Sequence, residues 1–191
     1  DDCRHDLAAW IDWLGQKGSP RVTLIGHSLG AVKCLYALAQ DTALEVRAVV
    51  AVSPPRLSYS WFCQSPEAAT FLETYQRAEA LVQGGEAGNL MEITLPLSMV
   101  ITAAGYLEKY GPDERYNYLR FLRSVPGPVL VTLGDLEIGV SPAFRGAAEA
   151  IAELAGKKKD LKVETIPDAD HFYTNARAEV IDRVTAWLGS L

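Results

Sequence analysis

The stretch Val22-Thr23-Leu24-Ile25-Gly26-His27-Ser28-Leu29-Gly30 decides how this chain is read. A short, largely apolar run, Val22 to Ile25, leads into Gly26-His27-Ser28-Leu29-Gly30, and a helical pattern follows from Ala31 to Gln40. A serine between two glycines at a strand-to-helix turn is a device for exposing a hydroxyl as a nucleophile. The backbone turns too sharply there for bulky neighbours, so both flanking positions are expected to need glycine. The turn leaves Ser28 Oγ proud of the strand end. The amide of Leu29 then points to where a tetrahedral oxyanion would form, which makes Leu29 the candidate oxyanion donor.

On either side of this turn the chain alternates between apolar runs and helical patterns. Residues 5 to 16 carry Leu7, Ala8, Trp10, Ile11 and Leu14 at helical spacing, and Gly15, Gly18 and Pro20 end that helix. Val46–Val52 is a second continuous apolar run, rich in valine, and Val129–Leu133 and Leu161–Ile166 read as the third and fourth strands. Continuous rather than alternating apolar runs suit parallel strands covered on both faces. Helices are expected over 31–40, 142–156 and 175–188, the second with Ser141 as N-cap and Pro142 at its first position. Four strands alternating with helices predict an α/β fold with a parallel sheet and right-handed crossovers. Ligands bind such sheets at the carboxyl ends of the strands.

Residues 56 to 124 have a different character. No strand is expected there. Helices are read over 66–83, 89–109 and 112–123, separated by Gly84-Gly85 and Gly111-Pro112. The apolar stretch Leu90 to Leu107 contains Glu92 and Pro96, so it reads as a buried helix or pair of helices rather than a membrane span. Most of the aromatic residues lie in this region. The domain reading is a core of residues 1–55 and 125–191 with a helical cap inserted at 56–124. Trp61 and Phe62 in the cap, with His27 in the turn, are the candidate substrate-binding residues.

Composition narrows the function classes. The chain of 191 residues can build one sizeable core, and 49% hydrophobic with 22% charged residues is ordinary for a globular protein. A net charge of −6 argues against a nucleic-acid partner. The one basic run, Lys157-Lys158-Lys159, sits where a helix should end and favours the helix dipole. The three cysteines, Cys3, Cys34 and Cys63, form neither a zinc pattern nor a disulfide framework. Cys34 falls on the apolar face of its helix. No signal peptide is expected from Asp1-Asp2-Cys3, and a reducing, cytoplasmic setting is favoured.

A nucleophilic serine needs a base. Of the three histidines, His27 lies inside the turn and His5 early in the first helix. His171, in the loop Asp168-Ala169-Asp170-His171-Phe172 after the last strand, is placed to reach the same sheet edge as Ser28. An imidazole base needs an acid to fix its tautomer. Gly134-Asp135-Leu136-Glu137, after the third strand, offers two carboxylates. The order along the chain is serine, acid, histidine.

These motifs resemble the α/β-hydrolase superfamily, in particular its serine esterase and lipase-like members. Gly26–Gly30 matches the nucleophile elbow, Pro128–Glu137 the strand and acid loop, and Asp168–Phe172 the histidine loop. The resemblance runs over the whole chain, and 56–124 falls where that fold accepts a helical cap. In the family the acid stands three residues past the loop glycine, which selects Glu137 and leaves Asp135 as the alternative acid. Asp168 and Asp170 are then loop-shaping residues. The family fold has several strands before the nucleophile strand, and none is read here. The chain is therefore expected to be an N-terminally truncated member, without the loop that supplies a second oxyanion donor. Its first strand would be an apolar sheet edge.

The resemblance implies a serine hydrolase that cleaves a carboxylic ester or related acyl substrate through an acyl-enzyme. Ser28, His171 and Glu137 would be nucleophile, base and orienting acid. The alternatives are acyl transfer, cleavage of an amide or C–C bond by the same residues, or a non-catalytic binding protein on the same fold. No metal and no organic cofactor is implied. The expected partner is a small acyl substrate, with no nucleic acid and no membrane; an oligomer is left open.

Overall fold

The computed structural model describes residues 2–19, 21–41 and 43–191. Pro20, expected to part the first helix from the first strand, and Asp1 lie outside the described residues. Along the chain run α1 (Asp2–Gln16), β1 (Thr23–His27), α2 (Leu29–Gln40), β2 (Ala48–Val52), α3 (Tyr59–Phe62), α4 (Ala68–Gln83), β3 (Leu90–Ile93) and β4 (Met99–Thr102). Then follow α5 (Ala103–Tyr110), β5 (Val129–Gly134), α6 (Asp135–Val140), α7 (Ala147–Ala155), β6 (Leu161–Ile166) and α8 (Arg177–Gly189). Two short 3-10 turns, Tyr118–Arg120 and Leu122–Ser124, precede β5. The chain forms two compact units: Asp1–Pro55, Tyr118–Val140 and Phe144–Leu191 make the first, Arg56–Asn117 and Ser141–Ala143 the second.

The first unit holds a four-stranded parallel sheet in the order β1-β2-β5-β6. This is the α/β architecture expected from the alternating pattern. The continuous apolar runs take the middle: Ala48, Val49, Val50 and Ala51 of β2 and all of β5 are buried. Branched side chains there are packed on both faces, which is the reason those runs do not alternate. The helix α2 buries Ala31, Leu35 and Leu38 as expected. Cys34 lies on the same buried side, and burial pushes its thiol up to about 11. Such a thiol stays protonated and behaves as a small apolar group. Among the described residues β1 pairs only with β2, so it forms a sheet edge with Ile25 60% exposed.

Two local expectations about the segments after β5 are corrected. The helix expected over 142–156 begins at Ala147: Ser141 Oγ does accept the Ala143 N–H, but the chain runs through turns to Gly146, whose left-handed φ of 68 breaks the helix before Ala147. The loop expected after β5 is the short helix α6, which carries both candidate acids.

The second unit has an aromatic core. Phe62, Phe71, Tyr106 and Tyr110 are buried, and their rings meet at centroid distances such as 5.2 Å (Phe62–Phe71) and 4.9 Å (Tyr106–Tyr110). The region is not wholly helical. Where a helix was expected over 89–109, β3 and β4 form an antiparallel hairpin with Leu90 opposite Thr102 and Ile93 opposite Met99. Met91 and Ile93 face inward while Leu90 and Glu92 face out, a period of two hidden in an apolar run.

Candidate active site

The strand ends of the first unit carry the chemically capable side chains. Ser28 is the residue between β1 and α2, and its backbone sits at φ 55, ψ −126. A non-glycine residue at positive φ is strained and persists only where its surroundings hold it. Here the Ser28 N–H donates to Val52 O at 2.9 Å, carrying the β1–β2 ladder one residue past the strand. The turn folds the start of α2 back over Gly26. A Cβ on Gly26 would stand 2.5 Å from Gly30 O and 2.6 Å from Ala31 N, so this glycine is required. Gly30 differs from expectation: among the described residues a Cβ there would meet nothing within 4 Å. Leu29 N is the first amide of α2, and the first amides of a helix have no acceptor within it.

The histidine loop reaches the turn because it crosses another strand end. Gly134, the last residue of β5, lies under Ala169; a Cβ there would be 2.2 Å from Ala169 O. Asp170 shapes the loop, its Oδ1 accepting the N–H of Phe172 at 3.0 Å and of Thr174 at 2.9 Å. These donors hold the Asp170 carboxyl below its ordinary range. The result is a hydrogen-bonded chain of three side chains. His171 Nε2 lies 3.0 Å from Ser28 Oγ, and His171 Nδ1 lies 2.8 Å from Glu137 Oε2. An ionised carboxylate only accepts, so Nδ1 carries the proton and Nε2 is free to accept from the serine. The rings of Phe144 and Phe172 flank His171 at centroid distances of 5.0 and 5.1 Å.

Glu137 is only 3% exposed. A buried carboxylate must be satisfied by donors. Beyond His171, its Oε1 accepts the Gly134 N–H at 2.7 Å and the Ser53 hydroxyl at 2.5 Å. Ser53 in turn lies 2.9 Å from the Tyr173 hydroxyl, and Tyr173 lies 3.0 Å from Thr132 Oγ1. None of these three was singled out from sequence. Ser53-Pro54-Pro55 reads only as a strand end, and Tyr173 as part of a loop. The available signal was positional: each stands at or near the carboxyl end of a strand.

The remaining candidates have clear places. Asp135 is exposed at the start of α6. His27 donates from Nε2 to His171 O at 2.7 Å, and its ring lies 4.8 Å from the His171 ring, so it braces the histidine loop. In the second unit, Trp61 Nε1 donates to Pro142 O at 3.0 Å, and the Arg56 guanidinium stacks over its ring at 4.1 Å. Phe62 is 1% exposed and belongs to the aromatic core, where its ring has no free face.

A parallel sheet whose strand-to-helix turn presents a serine beside a histidine and a buried carboxylate is an arrangement built for hydrolytic chemistry. The chain belongs to the alpha/beta hydrolase family, whose profile matches residues 1–183. Solved structures show the same fold. The monoacylglycerol lipase of Paleococcus ferrophilus is 20% identical, with a TM-score of 0.66 over 98% of this chain and 74% of that one. A soluble variant of the Saccharomyces cerevisiae monoglyceride lipase, in complex with a substrate analog, is 15% identical, with a TM-score of 0.68 over 99% and 68%. A thermostable Bacillus coagulans carboxyl esterase, in complex with glycerol, is 12% identical, with a TM-score of 0.62 over 98% and 70%. At these identities the likeness is one of fold. No curated protein matches the chain. Among the described residues, no helix is long and apolar enough to cross a membrane.

Proposed function

We propose that the protein hydrolyses a carboxylic ester through an acyl-enzyme on Ser28. The observation that carries this reading is the unbroken chain from Ser28 Oγ through the His171 imidazole to Glu137, at 3.0 and 2.8 Å. As Ser28 Oγ attacks the acyl carbon, its proton passes to His171 Nε2, and the carbonyl π electrons move onto oxygen. Glu137 stabilises the imidazolium and fixes the ring. The Leu29 amide, at the positive end of α2, donates to the oxyanion. When the tetrahedral intermediate collapses, the bond to the alkoxide breaks and Nε2 returns the proton to it. Water then repeats the sequence: it gives a proton to Nε2, attacks the acyl-enzyme, and releases the acid as Ser28 recovers its proton.

The family supports hydrolysis, and the esterase and lipase folds it resembles support an ester as the bond cleaved. Phe172 is 70% exposed beside His171 and offers an apolar surface to an acyl or alkyl group. A fluorophosphonate probe tests the reading. The folded protein is labelled, and Ser28→Ala is not. A folded protein that resists the probe, or labelling that persists in Ser28→Ala, overturns it.

A further inference from the structure

We propose that Ser53 is a positioning residue, the last link in a one-way relay of hydroxyl donors that orients the Glu137 carboxylate. The inference rests on the proposed roles of Ser28, His171 and Glu137. Its physical basis is proton counting. A carboxylate has no proton to give, so the contact between Ser53 Oγ and Glu137 Oε1 uses the only proton of Ser53. The Tyr173 hydroxyl, 2.9 Å away, must then donate to Ser53 Oγ. With that proton spent, the Thr132 hydroxyl must donate to Tyr173 across 3.0 Å. All the dipoles run the same way, Thr132 to Tyr173 to Ser53 to Glu137. Each donor in such a chain is polarised by the one before it, and the low-dielectric surroundings strengthen the effect on the carboxylate. Ser53 and Thr132 are fully buried and Tyr173 nearly so.

Backbone conformation supports a selected arrangement. Ser53 has φ 48 and Tyr173 φ 53, both in the left-handed region that side chains other than glycine rarely adopt. Tyr173 stands two residues beyond His171 on the same loop, so the relay ties the base's loop to the acid. Ser53 N–H donates to Thr132 O at 2.8 Å, which fixes its hydroxyl over the end of the neighbouring strand. With Oε1 held by Ser53 and Gly134, the only orientation left for the carboxylate presents Oε2 to Nδ1 of His171. The other titratable groups facing this pair are His27 against the His171 ring and Asp170 on the histidine loop; Tyr173 lies below Ser53.

The test is the pH profile of ester hydrolysis by Ser53→Gly, in which glycine accepts the positive φ and the donor is removed with its Cβ. Without its donor, the charged carboxylate is less stable and the His171–Glu137 pair holds its proton to higher pH. The acid limb of kcat/KM should move up by about one pH unit, with kcat reduced about tenfold at neutral pH and KM unchanged. In a Glu137→Gln background, Ser53→Gly should add no further shift. Tyr173→Phe, which removes the second link and keeps the ring, should move the limb in the same direction by less and serves if Ser53→Gly does not fold. A limb that superimposes on the parent's in a folded variant overturns the proposal, as does an equal shift in the Glu137→Gln background. If Ser28→Ala is inactive while Ser53→Gly is silent, the relay alone is refuted. If Ser28→Ala retains turnover, the catalytic reading itself is refuted.

Discussion

Ser28 and Ser53 stand in equivalent places, each one residue beyond the carboxyl end of a strand, on the neighbouring parallel strands β1 and β2. Both have a left-handed backbone, φ 55 and φ 48. Both give their N–H to the next strand, Ser28 to Val52 O and Ser53 to Thr132 O. Their surroundings set them apart. Ser28 is half-buried and faces the His171 imidazole, whereas Ser53 is fully buried and faces the Glu137 carboxylate. Leu29 and Gly30 continue from Ser28 directly into a helix, whereas after Ser53 the chain passes through Pro54 and Pro55 and starts no helix before Tyr59. One backbone device thus places a half-buried hydroxyl beside an imidazole at the edge strand and a buried donor at a strand in the middle of the sheet.

The sharpest way to break this contrast is to remove each hydroxyl in turn. Ser28→Ala should lower kcat/KM for a short p-nitrophenyl ester by about 10⁵–10⁶-fold. The Ser53→Gly loss should be near tenfold at neutral pH, since that hydroxyl acts through another residue. Comparable losses would make the two serines functionally alike and end the distinction.

The next largest effect separates the two carboxylates of α6. Glu137→Gln should reduce kcat by about 10⁴-fold, because an amide leaves His171 without a charged partner and permits the wrong tautomer. Asp135→Asn, at an exposed position, should leave kcat unchanged. Steady-state kinetics on both variants decides it, and a loss confined to Asp135→Asn would move the acid to that residue.

The smallest effects concern the glycines beside Ser28. Gly26→Ala drives a Cβ into the Gly30 carbonyl and should destabilise the fold by about 3 kcal/mol or more in urea unfolding. Gly30→Ala should be neutral or stabilising by about 0.5 kcal/mol, since the site is open and lies in the first turn of a helix. Equal costs at both positions would show that the turn needs both glycines after all.

Much of the architecture was legible because it is written locally. The four segments read as strands form the four parallel strands of the sheet, and the serine between glycines lies at the strand-to-helix turn. The structure brings His171, picked out by elimination among three histidines, to Ser28, and brings Glu137, which the family resemblance favoured over Asp135, to His171. Features that depend on pairing were not legible. In Leu90–Ile93 and Met99–Thr102 an apolar run hides alternation that appears only when the strands meet. The start of α7 moved to Ala147 because Gly146 takes a left-handed conformation, φ 68, which a glycine permits but does not announce. The relay of Ser53, Thr132 and Tyr173 joins two strand ends and a loop, and no motif links residues so far apart.

That separation has a kinetic meaning. Ser28 and His171 are 143 residues apart along the chain, and Ser53 and Glu137 are 84 apart. Contacts that close such long loops carry the greatest entropic cost and form late. On dilution from denaturant, helical circular dichroism should therefore recover before Ser28 reacts with a phosphonate. Under the proposed chemistry, Ser28 is in this sense a clock for the final assembly of the sheet, started only when the most distant parts of the chain have found each other.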